Sequence, residues 1–170
     1  MIAEILTENL EQATKLPQKR TRYFIKNEIK IPNKSLVILC GTPAAGKSTM
    51  ANIICKEFIN SAHIEADKIF EEEALKLIED EVLTIEQEDL AEKRSFEKAL
   101  KQAEVVLNSN GIVVWDDLAI FPKDREKILL GLEGKYDHSI LIILEVEIVE
   151  TVLRSIRRGD SQIRTKIIQD

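Results

Sequence analysis

The sequence predicts an α/β domain in which helices cover both faces of a parallel sheet. Four short apolar runs indicate buried strands, and they alternate with helix-like stretches of ten or more residues: the runs are SLVILC, AHIEA, GIVVWD and SILIILEV. Continuous apolar runs are typical of parallel strands that are buried on both faces. We therefore expect a three-layer sandwich with a sheet of four or five strands.

The segments between these runs have the spacing of amphipathic helices. The sequence KSTMANIICKEFIN places Met50, Ile53, Ile54 and Phe58 at helical intervals. The region 67–108 predicts two helices that separate near EDEVLTIEQ, and PKDREKILLGLEG and EIVETVLRSIRR predict two more. Each predicted strand is thus followed by a helix.

The N-terminal region is predicted to be a separate extension. Residues 1–16 have a helical apolar pattern that ends at Pro17, and RYFIKNEIKI fits either a strand or a further helix. We expect a helical and basic extension at 1–34 and one domain at 35–170. The N-terminus lacks the pattern of a secretory signal, so we expect a cytoplasmic protein.

Charge is distributed unevenly along the 170 residues. Residues 15–34 hold seven basic side chains and one acid, a net +6, although the whole chain carries −6. The remainder is therefore strongly acidic, at −12, which disfavours extended nucleic-acid binding. Contact of the basic strip with nucleic acid stays open but is not the favoured interpretation. The longest apolar run has five residues, too short for a membrane span.

A phosphate-binding loop follows the first predicted strand. The stretch GTPAAGKST matches the P-loop pattern G-x-x-x-x-G-K-[ST] between a strand and a helix. Its glycines allow backbone N–H groups to surround a phosphate, and the helix N-terminus favours negative charge. We expect ATP to bind there through nine residues: Gly41, Thr42, Pro43, Ala44, Ala45, Gly46, Lys47, Ser48 and Thr49. Lys47 would reach the phosphates and Ser48 would bind Mg²⁺.

Carboxylates at two other strand ends favour phosphoryl transfer over hydrolysis. Asp116 and Asp117 end the strand IVVWD, and Asp116 is the predicted second Mg²⁺ ligand. A Glu that would polarise water is absent after Asp116. Asp67 follows the strand HIEA, where a carboxylate can accept the proton of an attacking hydroxyl. A helix N-cap is the alternative for Asp67, and a strand-end turn is the alternative for the acidic pair.

Three arginines end the last predicted helix. Arg154, Arg157 and Arg158 have the spacing i, i+3, i+4 and therefore share one face. They could stabilise charge on a transferred phosphoryl group or complement the helix dipole, and both interpretations remain open.

These segments resemble the small P-loop kinases of the polynucleotide kinase, zeta toxin, chloramphenicol phosphotransferase and seryl-tRNA kinase group, in broader terms an AAA-type ATP-binding domain. The resemblance covers Ser35 to Arg158 and rests on GTPAAGKST, Asp67, VVWDDLAIFPKDREKIL and RSIRR. It implies transfer of the ATP γ-phosphate to a hydroxyl, with Asp67 as general base. Arg125 matches an arginine in the helix that follows the acidic pair, so Asp117 and Arg125 are candidate substrate contacts.

The chain departs from these relatives at three points. Relatives that act on nucleic-acid ends often have an arginine shortly after the base, where this chain has Lys68 and Phe70. Leu118 stands where relatives often have Thr, and twelve residues follow Arg158 where relatives continue into a fifth strand and an adenine-binding loop. Three acceptor classes therefore stay open: a small molecule, a nucleotide sugar or a nucleic-acid end. A catalytically weak ATP-binding regulatory module is the alternative function.

Overall fold

The computed structural model describes residues 30–78 and 82–158, with the backbone alone at 148 and 156–158. The predictions for residues 1–29, including the N-terminal helix and most of the basic strip, lie outside the described residues. The rest forms four strands and five helices. In chain order these are β1 Ser35–Cys40, α1 Lys47–Glu57, β2 Ser61–Glu65, α2 Ala66–Leu75, α3 Ile85–Asn108, β3 Ile112–Asp116, α4 Pro122–Gly131, β4 His138–Ile143 and α5 Ile148–Arg158.

The strands form one parallel sheet in the order β2-β3-β1-β4. Leu39 of β1 and Glu65 of β2 both pair in register with Asp116 of β3. Because the strands are parallel, their carboxyl ends lie at one edge of the sheet. The chain segments that follow β1, β2 and β3 therefore meet at that edge.

Helices cover both faces of the sheet, which confirms the predicted three-layer α/β fold. On one face, Leu36, Ile38, Val113 and Trp115 pack with residues of α2, α3 and α4. On the other face, Val37, Leu39 and Val114 pack with Ala51 and Ile54 of α1. β1 and β3 are buried along their whole length because both faces are covered.

The long helix α3 packs against one face of the sheet. It begins at a capping box in which the Thr84 side chain accepts from Gln87 N and the Gln87 side chain accepts from Thr84 N. Its buried positions recur at intervals of four and are mostly small: Ala91, Ser95, Ala99, Ala103 and Leu107. Small residues let the helix lie close to the sheet.

β4 differs from the buried strand that the sequence predicts. It is an edge strand in which Ile140 and Ile142 pack against the core beneath α1, while Leu141 and Ile143 are about half exposed. Within the described ranges, none of the helices combines the length and the apolar content that a membrane crossing requires.

Candidate active site

The loop that connects β1 to α1 has the backbone of a phosphate cradle. Gly46 precedes α1 with φ 100°, and Ala44 also has a positive φ of 61°. Met50 N donates to Gly46 O at 3.0 Å, which is the first helical hydrogen bond of α1. The N–H groups of residues 47–49 precede that bond, so they remain available to an anion at the helix N-terminus.

Gly41 is required at the start of this loop by close packing. A Cβ at position 41 would lie 2.9 Å from the carbonyl oxygen of Leu144, which follows β4. Gly46 differs, because a Cβ there would meet nothing within 4 Å but its φ disfavours other residues. Glycine is therefore favoured at position 41 by close packing and at position 46 by backbone conformation.

Lys47, the lysine of the phosphate loop, interacts with loop carbonyls and with the charges of three aspartates. Its Nζ donates to Gly41 O at 3.0 Å and to Thr42 O at 3.2 Å. Burial lowers the pKa of Lys47, and the carboxylates of Asp116, Asp67 and Asp117 partly offset that effect. The structure thus brings the strand-end acids from β2 and β3 close enough to the loop lysine for their charges to interact.

Asp116 is buried at the end of β3, with 8% of its side chain exposed, and is held by a histidine of the neighbouring strand. His63 Nε2 lies 3.0 Å from Asp116 Oδ2. Asp116 Oδ1 has no hydrogen-bond partner in the part of the chain that the structure describes. The sequence did not identify His63 as a site residue, because its contact depends on the register between β2 and β3.

Asp117 and Asp67 occupy different environments. Burial raises the pKa of Asp117, whose Oδ1 accepts a hydrogen bond from Leu118 N at 2.6 Å. Asp67 is exposed in the first turn of α2, and its carboxylate has no hydrogen-bond partner among the described residues. Glu65 occupies the N-cap position of α2 without a side-chain capping hydrogen bond, and Asp67 lies in the first turn, so the alternative of Asp67 as the N-cap is wrong.

Two of the four predicted arginines, Arg154 and Arg125, have described side chains, and they bind different parts of the chain. Arg154 of α5 donates from Nε to Glu150 Oε1 at 2.9 Å and from Nη1 to Ala44 O at 3.5 Å, so it reaches the phosphate loop. The side chains of Arg157 and Arg158 lie outside the described part. Arg125 Nη1 donates to Ala119 O and Ile120 O at 2.7 and 2.8 Å, which holds the segment between β3 and α4.

A cavity of about 300 Å³ opens beside Asp67 and Asp117. It lies between α2, α3 and α4 and is lined by side chains from four elements and the segment after β3. The lining comprises Ala66, Asp67, Phe70, Glu92, Ser95, Phe96, Ala99, Trp115, Asp117, Leu118, Asp124, Lys127 and Ile128. Its size suits a small organic molecule.

Comparison with known families gives one match that covers most of this site. Residues 35–128, which are 94 of the 170 residues, match the model of a family described as "Chromatin associated protein KTI12". The matched range contains the phosphate loop, Asp67, Asp116, Asp117 and Arg125. A search of curated protein sequences gave no significant match.

Solved structures with the same fold include several kinases. A chain of the Pnkp1/Rnl/Hen1 RNA repair complex has a TM-score of 0.64 and 19% identity, with 86% of this chain and 45% of that chain covered. The APS kinase CysC of Mycobacterium tuberculosis, solved with AMPPNP and APS, has a TM-score of 0.56 and 12% identity, with 80% and 74% covered. A gluconokinase from Sinorhizobium meliloti 1021 has a TM-score of 0.54 and 15% identity, with 82% and 73% covered.

These similarities establish the small P-loop kinase fold and confirm the group that the sequence resembles. At these identities they extend to the fold alone. The chain spans less than half the length of the RNA repair chains that it matches, at 40% and 45%.

Proposed function

The chain belongs to the family described as chromatin associated protein KTI12, and from its small P-loop kinase fold we propose that it is an ATP-dependent phosphotransferase with a hydroxyl acceptor. One observation carries this proposal. Asp67 and Asp117 line a cavity of about 300 Å³, and the charges of both interact with the phosphate-loop lysine, Lys47. An acceptor in that cavity would thus lie beside the carboxylate of Asp67, whose charge interacts with the loop lysine.

The phosphate loop is proposed to bind ATP through residues 41–49. The N–H groups at the start of α1 and the Lys47 ammonium would neutralise the β- and γ-phosphates. Lys47 would exchange its hydrogen bonds with the carbonyls of Gly41 and Thr42 for phosphate oxygens. Bound nucleotide would thereby reverse the effect of burial and raise the pKa of Lys47 again.

Ser48 and Asp116 have the donor chemistry that suits Mg²⁺. Ser48 is exposed in the first turn of α1, and Asp116 keeps Oδ1 without a partner among the described groups. Magnesium sites in kinases typically use one or two protein oxygen ligands, and phosphate oxygens and water complete the coordination. Ser48 and Asp116 would hold the ion, which would supply positive charge to offset the negative charge of the phosphates.

Asp67 is the proposed general base. Its exposed carboxylate, free of partners within the described residues, could accept the proton of the acceptor hydroxyl. The acceptor oxygen then forms a bond to the γ-phosphorus while the bond from that phosphorus to the β–γ bridging oxygen breaks, and ADP leaves. Positioning and charge stabilisation supply most of the rate enhancement in such reactions.

Arg154, Arg157 and Arg158 of α5 are the proposed stabilisers of charge on the transferred group. The hydrogen bond of Arg154 to the loop carbonyl of Ala44 supports a position near the phosphates. For Arg125 the geometry favours a positioning role, because its guanidinium binds the carbonyls of Ala119 and Ile120 and it does not line the cavity.

The test is transfer of radiolabelled γ-phosphate across small hydroxyl compounds, nucleotide sugars and nucleic-acid ends. We expect Asp67→Asn to abolish transfer and to leave ATP affinity nearly unchanged, since Asp67 would act on the acceptor. Asp89→Asn, an exposed residue of α3 outside the cavity, is the matched control. Transfer retained by Asp67→Asn would remove Asp67 from the mechanism. A blank screen with intact ATP binding would instead support the regulatory ATP-binding module.

A further inference from the structure

The cavity beside Asp67 has an aromatic wall that the phosphate-transfer mechanism does not use. Phe70 of α2, Phe96 of α3 and Trp115 of β3 line it. The Phe96 and Trp115 rings meet edge to face at a centroid distance of 6.0 Å. Trp115 is 1% exposed, and its Nε1–H has no hydrogen-bond partner among the residues that the structure describes. An apolar body of an acceptor would pack against these rings.

The charged groups of the cavity are mostly acidic. Four carboxylates and one ammonium line it: Asp67, Glu92, Asp117, Asp124 and Lys127. Three of the carboxylates, Asp67, Asp117 and Asp124, form no ion pair with a cationic side chain of the described residues. The fourth, Glu92, lies 3.5 Å from Lys127 Nζ. The potential in the cavity is therefore negative, which attracts cations and repels anions.

Lys127 illustrates how an ammonium group is held at this wall. Its Nζ lies 4.6 Å from the centroid of the Phe96 ring and 3.5 Å from Glu92 Oε1. An aromatic face together with a carboxylate is a common recognition pattern for organic cations. Asp117 and Asp124 line the same cavity as the aromatic rings, and neither forms an ion pair with a lysine of the described residues.

Groups that would bind a phosphate-bearing acceptor are scarce in this cavity. No arginine of the described residues lines it, and Lys127 is already paired with Glu92. The guanidinium of Arg125 is committed to two backbone carbonyls. A nucleotide sugar or a nucleic-acid end would bring further negative charge against carboxylates that lack cationic partners.

We propose that this cavity selects an amine-bearing hydroxyl compound with an aromatic or similarly apolar body, bound as a cation between Asp117, Asp124 and the rings of Phe96 and Trp115. The selection of a cation is a property of the cavity alone. Only its role as the phosphate acceptor rests on the proposed function.

A series of probes that differ in charge tests this selection in the absence of ATP. Phenylalaninol, 3-phenylpropan-1-ol and 3-phenyllactate share a phenyl ring and a hydroxyl group but are cationic, neutral and anionic at neutral pH. Calorimetry gives their affinities. Fluorescence reports occupancy of the cavity, because Trp115 is the single tryptophan of the chain. We expect phenylalaninol to bind at least about tenfold more tightly than 3-phenyllactate, with a difference that shrinks at high salt.

Two variants of opposite sign localise the effect. Asp124→Asn should weaken phenylalaninol binding about two- to fivefold, and Lys127→Gln should strengthen it by a similar factor, as expected for half-exposed charges. Asp89→Asn, which removes a carboxylate outside the cavity, is the control. Equal or stronger binding of 3-phenyllactate, no binding of phenylalaninol, or equal effects of Asp124→Asn and Asp89→Asn would overturn the proposal.

The same series separates this inference from the proposed function. Binding of phenylalaninol with a change in Trp115 fluorescence, together with no phosphate transfer from ATP to it or to any compound of the acceptor screen, would support the cation site and contradict the phosphotransferase. Transfer to anionic acceptors with no preference for cations would support the phosphotransferase and contradict the cation site.

Discussion

His63 Nε2 lies 3.0 Å from Asp116 Oδ2, so the buried acid at the end of β3 is oriented by a side chain from β2. With its proton on Nε2, the imidazole donates to the carboxylate. One oxygen of Asp116 is thereby fixed, while Oδ1 keeps no partner within the described part of the chain. In the proposed mechanism, Oδ1 is therefore the oxygen of Asp116 that would meet a cation beside the phosphate loop.

Replacing His63 should therefore weaken magnesium-dependent nucleotide binding. We expect His63→Leu to raise the Mg²⁺ concentration needed for half-maximal ATP binding about 10- to 100-fold, because such supporting hydrogen bonds have effects of that size. His63→Gln, which can still donate, should recover part of the loss. Nucleotide binding measured as a function of Mg²⁺ checks this. His138→Leu, an exposed histidine of β4, should change nothing, and a similar response of both leucine variants would contradict the assignment.

Lys47 is expected to matter for binding rather than for folding. Lys47→Ala should lower ATP affinity about 100-fold, because a charge-assisted contact with the phosphates is lost. The free energy of unfolding should change little, since Nζ contacts only two loop carbonyls among the described residues and burial disfavours its charge. Calorimetric titration and urea denaturation measure the two quantities. Lys56→Ala on the exposed side of α1 is the control, and equal losses of ATP affinity would rule out a special role for Lys47.

The raised pKa of Asp117 predicts a specific dependence of stability on pH. An unfolded chain releases this proton near the ordinary value of 3.8, and the folded chain retains it to higher pH. The associated stabilisation is full below the unfolded pKa and is lost as pH rises through the folded pKa. Asp117→Asn should therefore increase the free energy of unfolding at neutral pH by on the order of 1 kcal/mol.

Asparagine suits this test because its side-chain oxygen can still accept the hydrogen bond of Leu118 N. The difference between Asp117→Asn and the unchanged protein should disappear at acid pH, when both side chains are neutral. Urea denaturation at several pH values measures it. Asp89→Asn should show no such trend, and a difference for Asp117→Asn that persists at acid pH would contradict the role of burial.

Gly46 should be replaceable only at a conformational cost. Alanine at φ 100° is disfavoured by about 1–2 kcal/mol although no atom lies near the added Cβ. Gly134, with φ 74° and equally open surroundings, provides the matched site. We expect similar losses of stability for Gly46→Ala and Gly134→Ala, but a loss of ATP affinity of about tenfold for Gly46→Ala alone. Equal ATP affinity in both variants would show that the loop tolerates alanine.

Most of the elements around the site follow from local sequence patterns. The predicted run SLVILC matches β1. Four further predictions agree with the structure to within a few residues: the helix from Lys47 is α1, the strand from Ala62 is β2, the strand from Gly111 is β3 and the helix from Pro122 is α4. The two helices expected between 67 and 108 are α2 and α3. Apolar runs, the P-loop pattern and Pro122 are signals that act within a few residues of chain, so they can be recognised without the fold.

Other features of the site depend on contacts between distant segments. The pairing of His63 with Asp116 depends on which strands are neighbours, and β2 and β3 are separated by two helices. The cavity combines side chains from residues 66 to 128, and among these only Asp67 and Asp117 are candidate site residues from the sequence. Arg125 matches a family position, but the carbonyls that it binds become visible only when the segment after β3 is folded.

The packing of Gly41 against Leu144 joins the phosphate loop to the segment that follows β4, the neighbouring strand. Leu144 N also donates to Cys40 O at 2.8 Å, and Arg154 reaches Ala44 O from α5. The loop is thus in backbone contact with the segment that leads from β4 into α5. A displacement of α5 would break the hydrogen bond of Arg154 to Ala44 O and would strain the contacts of Leu144 with residues 40 and 41. We therefore expect a ligand in the loop and the position of α5 to influence each other through these contacts.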